Sequence, residues 1–186
     1  MNNISTLNNN LDTLKLIKIK ENVNTYLDLI ADGKKTALDA LIELTSLELE
    51  YKKDLAITSC VKVSNFPFLK EIKDFDFSYQ PSIDKKKIMD LMTLRFIDNY
   101  ENIIFCGTPG VGKTNLAVSI GIEAAKNRIS TYFISFHELI SQLKTAKYEN
   151  RLDVRTKWFC RYKLLIIDEV GSEEMDPDTA NLFFNL

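Results

Sequence analysis

The stretch GTPGVGKT, residues 107 to 114, constrains this chain more than any other feature. An apolar run, NIIFC at 102 to 106, leads into it, and an amphipathic helical pattern from Gly112 to about Lys126 leads out. Strand, glycine-rich turn and helix is the order that brings backbone N–H groups and the positive end of a helix onto one anion. Gly107, Gly110 and Gly112 let the backbone turn tightly and approach phosphate oxygens, and Thr108, Pro109 and Val111 complete the loop. Lys113 is suited to the β and γ oxygens, and Thr114 offers a hydroxyl to Mg²⁺.

A phosphate loop needs a parallel sheet to stand on, and the downstream sequence supplies the pattern. STYFIS (130 to 135) reads as a strand, and Ser135 with Glu138 forms a capping box that opens the next helix. YKLLIID (162 to 168) reads as a further strand, and Asp176 with Pro177 reads as the N-cap and first residue of a last helix. Such alternation predicts a parallel sheet with helices on both faces. In LLIIDEV, the apolar run carries Asp168 to the end of a buried strand, where its carboxylate can hold the Mg²⁺ shell. Glu169 follows at once and is the candidate to polarise an attacking water. An acidic pair at a strand end is common alone, but less so about fifty residues after a phosphate loop. The same stretch, DEVG, also fits the D-x-x-G of GTPases. No guanine-reading N-K-x-D follows Asp168 in this sequence, and TAK at 145 to 147 precedes it. The Asp-Glu pair therefore favours ATP, and such a motif further along would reopen the choice.

The N-terminal third reads differently. NLDTLKLIK, NVNTYLDLIADGKK and a long segment from Thr36 carry helical spacing, with Gly33 ending the second and Thr36 able to cap the third. Residues 66 to 82 are punctuated by Pro67 and Pro81 and crowded with Phe66, Phe68, Phe75, Phe77 and Tyr79. Aromatics at that density imply an extended linker lying against something. One helix is expected from about Ile83 to Ile97. The expected division is a helical domain at 1 to 65, the aromatic linker at 66 to 82, and the nucleotide-binding core at 83 to 186.

Net charge is −2, so a nucleic-acid partner would have to be met by a local patch. Lys144, Lys147, Arg151 and Arg155 fall three or four apart, one stripe if the segment is a single helix. Lys157, Arg161 and Lys163 follow, with Trp158, Phe159 and Tyr162 among them, a composition that suits a nucleic-acid backbone but equally a solvated helix face. His137, the single histidine, reads as surface or packing. Cys60, Cys106 and Cys160 have no metal-like spacing and fit a reducing cytoplasm, and the start MNNISTLNNN has no signal-peptide pattern. No apolar run approaches a membrane span of roughly 18 residues.

The stretches DFDFSYQPSIDKKKIMDLMTLRFIDNYENIIFCGTPGVGKTNLAVSIGIEAAK, LLIIDEVG and DTANLFFNL resemble the IstB-like ATPases, AAA+ proteins encoded beside a transposase and similar to the DnaC helicase loader. The resemblance runs from about residue 5 onward. It implies a small helical N-terminal domain that helps bind DNA, then an AAA+ core. It also implies Mg·ATP binding, assembly as a homo-oligomer on double-stranded DNA, and delivery of that DNA to a cognate transposase. By position it assigns phosphate and Mg²⁺ to Lys113 and Thr114, Mg²⁺ to Asp168, water activation to Glu169, and proximity to adenine to residues 75 to 81. Family members continue beyond the point matching Leu186 into a γ-phosphate sensor, an arginine finger and a second sensor. The next family strand lies between the strand feeding Gly107 and the strand feeding Asp168, so without it those strands are expected to face a gap. VGSEEMDPDT also departs from the family pattern after the acidic pair. The alternatives are a nucleotide- or DNA-binding fragment without turnover, and a replicative helicase loader.

Overall fold

A computed structural model describes residues 3–171 and 175–186. The chain divides into two compact units, residues 1–56 and 57–186. The boundary falls within one long helix.

The first unit contains α1 (Asn3–Thr13), α2 (Ile17–Ala31) and the start of α3 (Ala37–Val63). Leu11, Val23 and Leu44, one from each helix, form its centre, with Leu7, Leu16, Ile19 and Tyr26 around them. The helix expected over NLDTLKLIK is broken instead. Lys15 takes a left-handed backbone (φ 55°), and Leu16 N–H returns to the Leu11 carbonyl at 2.9 Å. The turn places α2 beside α1, so both apolar faces are buried together. Thr36 caps α3 as expected, accepting from Asp39 N–H at 3.1 Å.

Glu48 supports the start of α2 in a way no local pattern announces. Its side chain, on α3, accepts from Lys18 N–H at 2.7 Å and Ile19 N–H at 3.1 Å. These are orphan donors of the first turn of α2, where a carboxylate also meets the positive end of the helix. The residue is only 4% exposed, and Lys52 lies 3.9 Å from its other oxygen.

The second unit is an α/β layer structure. β1 (Thr131–Ser135) and β2 (Leu164–Asp168) pair in parallel, in register from Thr131 with Leu164 to Ser135 with Asp168. Strand alternation sends Phe133 and Ile166 to one face, against Val118 and Ile122 of α6 (Lys113–Lys126). Ile134, Tyr132, Leu165 and Ile167 face the other way, into a core with α7 (Phe136–Tyr148), α8 (Leu152–Cys160) and α9 (Pro177–Phe184). Ser135 caps α7 by accepting from Glu138 N–H at 3.2 Å, and Asp176 caps α9 by accepting from Thr179 N–H at 2.6 Å.

Residues 64 to 75 run as a strap across α6. The Ser64 carbonyl accepts from Phe133 N–H at 2.8 Å, and the Asn65 amide donates to the Phe133 carbonyl at 3.0 Å. Phe66 packs on Gly121, Ser119 donates to the Lys70 carbonyl at 3.0 Å, and Glu71 pairs with Lys126 at 2.6 Å. A Cβ at Gly121 would lie 2.6 Å from Ile166 Cδ1 and 2.7 Å from the Phe66 ring, so glycine permits strap, helix and sheet to close together.

Two further expected elements differ. The helix expected from Ile83 to Ile97 is two, α4 (Lys85–Leu91) and α5 (Arg95–Asp98), separated by a left-handed Leu94 (φ 63°). The break turns Leu94 and Phe96 together into the core with Ile120 and Ala124. Residues 102 to 106 are not a strand. Ile103 and Phe105 pack on that same core, while Ile104 is 82% exposed and Cys106 is also exposed. The period-two apolar pattern is satisfied on one face only. A ladder needs a neighbouring strand, and among the described residues β2 pairs with β1 alone.

Candidate nucleotide-binding site

The loop from Gly107 to Gly112 stands at the N-terminus of α6. Gly110 and Gly112 take left-handed backbones (φ 83° and 92°), and Gly112 is the N-cap of α6. A Cβ on Gly112 would sit 2.7 Å from the Phe75 ring, so glycine there serves both the turn and the contact with the strap. Lys113 Nζ donates to the carbonyls of Gly107 and Thr108, each at 2.9 Å. The lysine thus folds back over its own loop, spanning the concavity that a phosphate chain would fill. Thr108, Pro109 and Val111 lie within the same loop.

The second half of the site comes from β2. Its register with β1 places Asp168 at the C-terminal edge of the sheet, opposite Ser135. Thr114, on the first turn of α6, donates its hydroxyl to Asp168 Oδ2 at 2.9 Å, with Oδ1 at 3.1 Å. Residues 54 apart in sequence are thereby joined across the gap between helix and strand. Glu169 follows in a left-handed conformation (φ 59°), which turns the chain sharply away from the strand. Ser172, Glu173 and Glu174 of the divergent stretch lie outside the described residues.

Thr114 and Asp168 offer hard oxygen donors of the kind Mg²⁺ takes. No group of three or more Asp, Glu, His or Cys side chains suited to a metal occurs among the described residues. That donor set fits a cation held by one or two protein oxygens with phosphate and water completing its shell.

The four basic residues read as one helical stripe do not share a helix. Lys144 and Lys147 are on α7, which ends at Tyr148, and Asn150 is left-handed (φ 54°) before Arg151 opens α8. Two helices here bury Leu143 and Phe159 in one core, which a continuous helix would not. Lys144 pairs with Asp176 at 3.4 Å, Lys147 with Asp178, and Arg151 with Glu149. Arg155 donates to Gln142 and lies over the Trp158 ring at 4.4 Å. Arg161 approaches the same ring at 4.7 Å, so the basic and aromatic residues here form a cation–π cluster.

Three features of the site were not visible in the motifs. The Phe75 contact with Gly112 depends on the path of the strap. The Thr114–Asp168 bond depends on strand register. Among the described residues Asn115 Oδ1 is buried without a hydrogen-bond partner.

A glycine-rich loop opening a helix, with a strand-end aspartate bonded to the helix's first-turn threonine, defines the phosphate-loop class of α/β nucleotide-binding domains. Comparison with known proteins carries this further. The chain belongs to the IstB-like ATP binding protein family, whose model matches residues 9–186. It is 46% identical over 185 residues to a protein named for ATP binding in insertion sequence IS232 of Bacillus thuringiensis subsp. berliner, covering 100% of this chain and 74% of that one. It is 43% identical over 146 residues to the IS5376 counterpart of Geobacillus stearothermophilus, covering 78% of this chain and 58% of that protein. It is 33% identical over 176 residues to the IS21 counterpart of Pseudomonas aeruginosa, covering 95% of this chain and 66% of that protein. The chain therefore spans about three-fifths to three-quarters of these relatives' lengths. No helix among the described residues is long and apolar enough to cross a membrane.

Proposed function

We propose that this chain is the ATP-binding part of a cytoplasmic helper of DNA transposition, which couples Mg·ATP binding and hydrolysis to assembly on double-stranded DNA and recruitment of a cognate transposase. The observation that carries the reading is the Thr114–Asp168 bond, which holds both Mg²⁺-seeking oxygens together at the mouth of the phosphate loop. When bound, the cation would neutralise β and γ phosphate charge. Lys113 would exchange the Gly107 and Thr108 carbonyls for phosphate oxygens, which compete well for an ammonium. The N–H groups of the loop and of the first turn of α6 would hold the remaining phosphate oxygens. Glu169, one residue beyond the metal-side aspartate, is assigned to orient and deprotonate water. ATP rather than another nucleotide, and a transposition role, are supported by the family and by the relatives' insertion-sequence names.

The test is a thermal melt with and without Mg·ATP, beside Lys113→Ala. A melt raised in the parent and unmoved in the variant is expected; no shift in the parent refutes nucleotide binding. Turnover abolished by Glu169→Gln with Mg·ATP binding retained is the companion result. A binder without turnover is the second reading, favoured by the unpaired segment 102 to 106 beside the phosphate loop; a parent that shifts but releases no phosphate would establish it. For DNA, charge reversal at Arg151 and Arg155 should weaken binding and flatten its salt dependence. Lys144 and Lys147 are assigned to the same surface, and unchanged affinity in the reversed variant removes the patch.

A further inference from the structure

We propose that the outer face of α3 is a self-association surface, on which a second copy of this chain lays its own α3 antiparallel. The proposal concerns the helical unit alone and depends on neither nucleotide nor DNA.

Residues 1–56 form a compact unit of their own, and within it α3 is apolar on two sides. The inner side carries Ala40, Leu44 and Glu48, all buried. The outer side carries Leu38, Leu41, Ile42 and Leu49, which are 67%, 61%, 55% and 61% exposed. Leu55 continues it at 47%. A single exposed leucine is ordinary, but a run of aliphatic side chains along one helix face marks an interaction surface. A phosphodiester backbone does not suit it, because aliphatic groups rather than cations fill the stripe.

The spacing and the charges identify the occupant. Leu38, Ile42, Thr45, Leu49, Lys52 and Ala56 follow one another at steps of four, three, four, three and four. That is the seam of a two-helix coiled coil. Asp39, Ser46 and Lys53 flank the seam on one side, and Leu41 and Leu55 flank it on the other. In a parallel pair each seam residue meets its own copy, which sets Lys52 against Lys52, two like charges in an apolar contact. In an antiparallel pair with its two-fold axis at the level of Leu47, each flank meets the same flank read backwards. Asp39 then lies beside Lys53 of the second copy, and Leu41 beside Leu55 of the second copy. Within the seam Thr45 meets Leu49 and Leu38 meets Ala56. Ile42 meets the stem of Lys52, whose ammonium lies 3.9 Å from Glu48 of its own helix. The face is therefore complementary to itself in charge and in apolar content, which a two-fold interface requires. The contact is one helix pair long, so a dissociation constant in the micromolar range is expected.

The experiment is sedimentation velocity of the full chain from about 1 to about 200 µM, without nucleotide or DNA. The parent should pass from monomer to dimer across that range. The double variant Ile42→Glu with Leu49→Glu should stay monomeric. Both side chains are exposed, so its circular dichroism and melt should match the parent's at low concentration. Lys53→Asp, which sets Asp39 against a like charge, should weaken the dimer by about threefold to tenfold, the scale of two rim ion pairs. Adding Asp39→Lys to it should restore the parent's affinity. A parent that is monomeric throughout overturns the proposal, as does a dimer that the double glutamate variant leaves intact. A charge-swapped protein no tighter than Lys53→Asp alone also overturns it, because the antiparallel register predicts the rescue.

Discussion

Thr114→Val separates the structural from the ligand-binding role of the central contact. Valine matches threonine in shape and deletes one donor. The hydroxyl proton is shared between two carboxylate oxygens at 2.9 and 3.1 Å, so one hydrogen bond is lost, not two. A bond to a charged acceptor contributes roughly 1.5–3 kcal/mol when buried. Thr114 and Asp168 are both half-buried, and water can replace part of the loss, so about 1 kcal/mol is the expected cost. For a chain of this size that lowers Tm by about 2–4 °C. The ligand effect should be larger. Mg·ATP at a hundred times its Kd stabilises by about 2.7 kcal/mol, and each tenfold loss of affinity removes about 1.4 kcal/mol of that. A thermal melt of Thr114→Val should therefore start slightly below the parent and respond little to Mg·ATP. Asp168→Asn retains an acceptor for the hydroxyl, so its melt without ligand should stay near the parent while its Mg·ATP response falls. A Thr114→Val protein that keeps the full Mg·ATP shift would refute the assignment of this pair to the cation.

Three further outcomes follow from packing and charge. Glu48→Ala leaves the Lys18 and Ile19 N–H groups without their acceptor and should cost about 2 kcal/mol, read as an earlier loss of helical signal in circular dichroism; an unchanged melt would show that water caps α2 equally well. Gly121→Ala places a methyl 2.6 Å from Ile166 and 2.7 Å from Phe66, and should destabilise by about 1–3 kcal/mol in urea unfolding, whereas a neutral result would mean the strap simply lifts. Glu71 has its pKa lowered, chiefly by its bond to Lys126 and then by Lys73. A depressed carboxylate stabilises the fold above its unfolded-state value and loses that contribution as pH falls through the lower folded value. The parent should thus be more stable than Glu71→Gln near neutral pH, and that advantage should shrink as pH falls until the two proteins are alike in acid; parallel stability curves across that range would exclude the linkage.

The phosphate loop, the start of α6, the caps at Ser135 and Asp176, and the placement of Asp168 at a strand end were legible because each depends on neighbours in the chain. Glycine backbone freedom, capping side chains and apolar periodicity act within a few residues. The same local reasoning misread four places. It ran a helix through Lys15, joined α4 to α5 across Leu94, carried a basic stripe through Asn150, and made residues 102 to 106 a strand. In each case a core contact or a missing ladder partner outweighed periodicity. Leu94 and Phe96 turn inward together, Leu143 and Phe159 share one core, and among the described residues Ile104 has no neighbouring strand.

The sequence by itself determined which groups the chain offers: a glycine-rich loop followed by a lysine and a threonine, and an acidic pair at the end of an apolar run. The tertiary structure alone decided which of these groups touch. The parallel register brings Asp168 to Thr114, and the path of the strap lays Phe75 on Gly112. It also buries Asn115 Oδ1 without a hydrogen-bond partner among the described residues. Local patterns specify what each segment can offer, but hydrogen bonds and close contacts between distant segments depend on how the layers pack, which no short window of sequence contains.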